Sequence, residues 1–152
     1  MPRTRRLVAV LAMLVAAVSS TLVVASPALA ASCYATSCNY LDPQTNGCNT
    51  GAQTKQAINP EPPYTVDLRY SPGCYAAWAR VTGGLTGYPK YHYLKLQVWS
   101  AQTGGTLLRV ETKYIEQTVA GQSQWTAMHT FGNWVQACMK DHNDDGWCTG
   151  RF

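Results

Sequence analysis

Several signatures are missing from this sequence, and each absence excludes something. There is no Cys-x-x-Cys pair and no His-x-x-x-His partner, so its six cysteines do not form a zinc site of the usual spacing. Net charge is nearly absent beyond the first thirty residues. Three of the twelve basic residues lie before that point, leaving nine against eight acids. Nucleic acid and anionic membrane are therefore excluded as partners, since both require a concentrated basic patch. Gly-x-Ser-x-Gly, His-Glu-x-x-His and the phosphate-binding glycine loop are all missing. Glu111 and Glu116 project to opposite faces of one strand, which makes them a poor acid/base couple. No histidine among His92, His129 and His142 has a sequence neighbour that would activate it. The expectation is a protein that is not an enzyme. No internal repeat is visible, and no segment has a persuasive amphipathic period; residues 51–58 are read as one short helix.

The first thirty residues read as a secretory leader. Arg3, Arg5 and Arg6 make a positive start, an apolar run follows from Leu7 to about Val18, and Ala28-Leu29-Ala30 closes it. Leu7 to Val24 is nearly long enough to span a bilayer, so an uncleaved leader would be the chain's sole membrane attachment. Ser19, Ser20 and the Ala-x-Ala site favour cleavage before Ala31. The expected location is extracellular. The Arg5-Arg6 pair faintly resembles a twin-arginine signal, but a disulfide-bearing chain is more simply exported unfolded.

Cys33, Cys38, Cys48, Cys74, Cys138 and Cys148 all follow the leader. An even number in a short exported chain implies up to three disulfides, whose pairing the sequence leaves open. Residues 31–152 are read as one domain. Within it, 31–63 is a Cys- and Pro-rich segment dominated by turn chemistry, 64–139 is a β core, and 140–152 is an Asp-rich tail. Asn59-Pro60-Glu61-Pro62-Pro63 makes a stiff connector that excludes helix and central strand.

From Tyr64 onward the hydrophobic period becomes two. Tyr64, Val66, Leu68 and Tyr70 alternate with Thr65, Asp67 and Arg69. Ser71-Pro72-Gly73-Cys74 is read as a type II turn, which sets Tyr70 opposite Tyr75, Leu68 opposite Ala77 and Val66 opposite Ala79. The other face of that hairpin collects Asp67, Arg69, Trp78 and Arg80. Residues 92–98 and 108–114 alternate again, and Gly132-Asn133 predicts a type II′ hairpin between 125–131 and 134–139. The expected fold is all-β: a small disulfide-stapled antiparallel sandwich or barrel of about six strands.

The run Leu68-Arg69-Tyr70-Ser71-Pro72-Gly73-Cys74-Tyr75-Ala76-Ala77-Trp78-Ala79-Arg80-Val81 resembles the signature of an actinobacterial family called domain of unknown function 2690. Cys38, Asp42-Pro43, Gly47-Cys48 and Ala137-Cys138 are similar to the same pattern. The resemblance implies an extracytoplasmic domain with a disulfide framework and transfers no activity. The tail beyond Met139 lies outside it.

Two constellations are candidates for function. Asp67, Arg69, Trp78 and Arg80 offer an indole between guanidiniums and a carboxylate, suited to a sugar ring or a peptide; alternatively Trp78 fills space between sheets, with Arg80 paired to Asp67. Tyr91, Tyr93 and Trp99 form an aromatic strip on one strand face with Lys95 and Gln97. Together they predict a binding module for a cell-wall polymer, another glycan or a secreted protein. A different class follows from Asp141, Asn143 and Asp145, whose alternating oxygens before Gly146 match the first half of a calcium loop. Phe152 stands where that loop would need a bidentate Glu. The alternative is thus a calcium-stabilised structural or interaction protein. No other cofactor is expected.

Overall fold

The computed structural model describes residues 30–83, 93–116 and 120–152. Residues 1–29 of the leader, Tyr91 and His92 lie outside the described residues. Those described contain nine strands rather than about six, and no α-helix. They are β1 (Gln53–Glu61), β2 (Tyr64–Ser71), β3 (Ala76–Thr82), β4 (Tyr93–Trp99), β5 (Leu107–Tyr114), β6 (Ser123–Trp125), β7 (His129–Thr130), β8 (Trp134–Lys140) and β9 (Gly146–Cys148). A 3-10 turn spans Ala35–Cys38. One sheet runs β1-β2-β3-β6, with β7 also paired to β3; the other runs β5-β4-β8-β9. All described pairings are antiparallel.

The sheets face each other across one core, a sandwich rather than a barrel. Val66 and Leu68 of β2, Ala77, Ala79 and Val81 of β3, Leu94, Leu96 and Val98 of β4, and Val135, Ala137 and Met139 of β8 are its buried residues, joined by Tyr64 and Ile115. The alternation read from sequence thus identifies the inward faces of β2, β3 and β4. It misleads for β5. Glu111 pairs with Leu96 and Arg109 with Val98, so Arg109, Glu111 and Lys113 take the inward side and Val110 and Thr112 the outward one. β5 extends beyond the cover of the opposite sheet, and seven of its eight residues are exposed.

The β2–β3 hairpin forms with a different turn. Ser71 pairs with Ala76 and Leu68 with Ala79, two residues away from the expected register. The positive φ falls on Tyr75 (49°) instead of Gly73, and Ser71 Oγ accepts the Cys74 amide at 3.2 Å. A shift of two keeps every side chain on its expected face, because side chains alternate with that same period.

Three other expectations are corrected. Residues 53–61 are edge strand β1, not a helix; its one proline, Pro60, is tolerated where a missing amide costs little. Asn59, Pro60 and Glu61 belong to that strand, with a register irregularity between Ile58 and Glu61. Gly132-Asn133 does not close a hairpin: β7 pairs with β3 in the first sheet and β8 with β4 in the second, so the chain crosses between sheets there.

The cysteines pair Cys33–Cys38, Cys48–Cys74 and Cys138–Cys148. Cys48–Cys74 ties the N-terminal segment to the β2–β3 turn, and closing that loop contributes about 3.5 kcal/mol in the chain-entropy account. The segment covers the outer face of the first sheet, where Cys38, Cys48, Cys74, Ala76, Trp78 and Met128 make a second core. Cys138–Cys148 fastens β9 to β8, and the backbone continues alongside β8 until Phe152 exchanges two hydrogen bonds with Val135 (2.9 and 3.0 Å). The Asp-rich tail is therefore an integral sheet edge.

Candidate functional site

The face bearing Asp67, Arg69, Trp78 and Arg80 exists as expected, but it points into the second core. Trp78 is 1% exposed, so its indole presents no face to a ligand. Arg80 donates from Nε and Nη2 to Asp67 Oδ2 at 2.9 and 2.5 Å. Arg69 donates to Thr54 Oγ1 (2.6 Å) and to the Ala52 carbonyl (2.9 Å). Both arginines thus secure neighbouring strands or the covering segment, while Arg69 Nε is buried without a partner.

Tyr93 and Trp99 lie at opposite ends of β4. Tyr93 packs edge-on against Tyr114 at 5.6 Å, while the Arg151 guanidinium sits 3.6 Å from the Trp99 ring centre. The strip is therefore divided, and one of its platforms is covered.

The Asp-rich loop closes on itself. Asp141 Oδ1 accepts the amides of Asn143 (2.8 Å) and Asp145 (2.9 Å), and the Asp141 amide donates to the Asp145 carbonyl (2.8 Å). Asp144 bonds Lys95 Nζ at 2.5 Å, and this holds its carboxyl below the usual range. Gly146 is required because a Cβ there would collide with the Met139 carbonyl oxygen. Asp141, Asn143 and Asp145 remain the residues that would hold a calcium ion. Asp141 Oδ2, which accepts neither amide, is the oxygen left for it.

An aromatic cleft that the sequence reading missed lies where the β2–β3 turn meets the sheet crossover. Tyr75 projects from its left-handed position, and its carbonyl accepts the Phe131 amide at 2.9 Å. The Tyr75 ring packs on Tyr34 at 5.9 Å and on Phe131 at 5.9 Å. Phe131 in turn contacts Tyr70 (4.7 Å) and Phe152 (5.6 Å). Lys55 Nζ lies 5.3 Å from the Tyr70 ring centre and 5.1 Å from that of Phe152. Burial, then the neighbouring phenols Tyr75 and Tyr34, push the Tyr70 hydroxyl pKa up. The rings enclose an open cleft of about 330 Å³, lined by Tyr75, Phe131, Gly132, Asn133, Trp134 and Phe152. Tyr75 and Trp134 are 38% and 37% exposed, large fractions for aromatic rings held on a sandwich. The available signal was an aromatic residue on each side of both turns, at Tyr70, Tyr75, Phe131 and Trp134.

A second, polar cleft of about 460 Å³ is lined by Asp42, Lys113, Glu116, Gln122, Ser123, Gln124 and Trp125. Much of its polarity is already engaged. Trp125 Nε1 donates to Asp42 Oδ2 at 2.7 Å, and Gln124 exchanges two bonds with the Glu116 backbone. Nearby, Glu111 is pushed up in pKa by burial, against the pull of Arg109. His129 is pushed down by burial and by Arg109.

The fold and its cross-links define a class: an all-β sandwich with three disulfides, a feature typical of extracellular proteins. Residues 36–138 match the family described as protein of unknown function (DUF2690), and the chain belongs to it. Comparison with curated proteins and with solved structures gave no match. The matched span contains both cysteines of Cys48–Cys74 and every cleft residue except Phe152, whereas Cys33 and Cys148 lie outside it.

Proposed function

We propose that this protein is a non-catalytic extracellular module that binds a glycan, such as a cell-wall polymer, in the aromatic cleft. The observation behind this reading is the pair of exposed rings, Tyr75 and Trp134, set over Phe131 and Phe152. The apolar faces of a sugar ring stack on such platforms, while Asn133 and the turn carbonyls supply hydrogen bonds to hydroxyls. The rings are preorganised, because Phe131 and Phe152 are each fixed by backbone bonds to other elements. This moves the aromatic contact from Trp78 to Tyr75 and Trp134. A neutral cleft also suits an uncharged polymer better than an ionic one.

Co-sedimentation of the oxidised protein with purified peptidoglycan and with neutral polysaccharides tests the reading. The expected result is retention by a polymer, reduced at least tenfold in Trp134→Ala and in Tyr75→Asn, a residue that tolerates the left-handed backbone. Absence of retention, or retention unchanged in both folded variants, would overturn it.

A further inference from the structure

Among the described residues, strand β5 is the one long strand that contributes nothing to the main core. Among the described residues it pairs with β4 on one side and ends its sheet on the other. Leu108 is 51% exposed and Val110 36%. A long edge strand of this kind is normally blunted by proline, by a protective bulge, or by charges that repel a partner. Leu107–Tyr114 contains no proline and no glycine, and its one register irregularity, at Leu108, lies towards one end and leaves 109–114 in regular pairing with β4. Its charges alternate in sign on one face: Arg109, Glu111, Lys113.

We infer that β5 is a docking edge for a second copy of this chain, pairing antiparallel with its counterpart about Val110. In that register each Arg109 stands directly opposite Glu111 of the second copy, twice by symmetry, and Val110 meets Val110. The remaining registers are worse. A shift by one residue would turn the charged face of one copy toward the solvent side of the other. Centring on Glu111 sets Glu111 against itself and Arg109 against Lys113, and like charges directly opposite destabilise a sheet. Centring on Thr112 does oppose Glu111 to Lys113, but engages only residues 110–114 of the strand, against 107–113 for the Val110 register. Glu111 supplies a second reason. Its Oε1 is buried without a hydrogen-bond partner, and Arg109 of its own chain reaches it only at 3.9 Å. An arginine arriving across the new strand pair brings the donor that this oxygen lacks. The product is a continuous eight-stranded sheet formed by joining two four-stranded ones, an isologous arrangement.

Sedimentation velocity of the oxidised protein, expressed from the full chain, tests this across micromolar concentrations. The wild type should reach the mass of a dimer. Val110→Lys, at an exposed site, should keep the wild-type melting temperature and remain a monomer. Arg109→Glu should weaken association about tenfold or more, and the exchange Arg109→Glu with Glu111→Arg should restore it. A wild type that stays monomeric throughout, or a dimer that survives Val110→Lys, overturns the proposal. Loss of the dimer in Arg109→Glu without recovery in the double exchange overturns the register.

Discussion

Trp125 Nε1 donates to Asp42 Oδ2 at 2.7 Å, linking residues 83 positions apart and pinning the N-terminal segment to the edge of the first sheet. Burial works to raise the Asp42 pKa. The hydrogen bonds from Thr45, Trp125 and Gln44 outweigh it, so the carboxyl sits below its ordinary 3.8. A depressed folded pKa contributes stability above the unfolded value and loses it as pH falls through the folded one. Asp42→Asn should therefore be less stable than wild type at neutral pH, with the gap narrowing below about pH 4. Urea midpoints measured against pH check this. Trp125→Phe should cost about 1–2 kcal/mol at neutral pH.

His129 gives the opposite case to an ordinary surface histidine. It is 8% exposed, its Nδ1 has no partner, and burial with the Arg109 charge holds its pKa below 6.5. Between the folded and unfolded values the unfolded chain binds more protons, so stability falls as pH drops through 6.5 toward the folded pKa. The melting temperature should decline from pH 7 to about 5, and His129→Phe should decline less over the same range.

Trp78→Ala should behave as a core deletion. With the indole packed against Cys38, Cys48, Cys74 and Met128, truncation should cost about 3–5 kcal/mol. Chemical denaturation measures it. Polymer retention should persist under conditions where the variant is still folded.

Asp141→Ala removes the acceptor for two loop amides and should lower stability by about 1–2 kcal/mol. Thermal melts with and without millimolar calcium decide what the loop does. If its hydrogen bonds act alone, the loss is the same in both; a calcium-dependent rise in the wild type, abolished in Asp141→Ala, would restore the metal reading.

The sequence revealed local relationships and concealed the distant ones. The faces of β2 and β3 were legible because a period of two survives an error in the turn: Leu68 found Ala79 instead of Ala77 and still met the core. Asp67 and Arg80 were correctly placed together for the same reason. What the sequence hid was the cover. Nothing in the period of β3 distinguishes an outward face bathed in solvent from one roofed by residues 33–52, and so the sequence leaves Trp78 open between a platform and a space-filling side chain. The aromatic cleft was hidden because Tyr34, Tyr75, Phe131 and Phe152 meet only once both sheets and the chain end are assembled. Gly132-Asn133 was misread because the same dipeptide serves a tight reversal and a passage between sheets. Deciding between them requires knowing which strands lie alongside.

The first sheet, enclosed by its partner on one side and by the cross-linked N-terminal segment on the other, is the middle of three layers. Its amides have no short route to solvent, since exchange there requires one of the covering layers to lift. The slowest-exchanging hydrogens in the molecule should therefore be those of β2 and β3. Reducing Cys48–Cys74 should speed them first at Ala76 and Trp78, beneath the layer that the disulfide holds down.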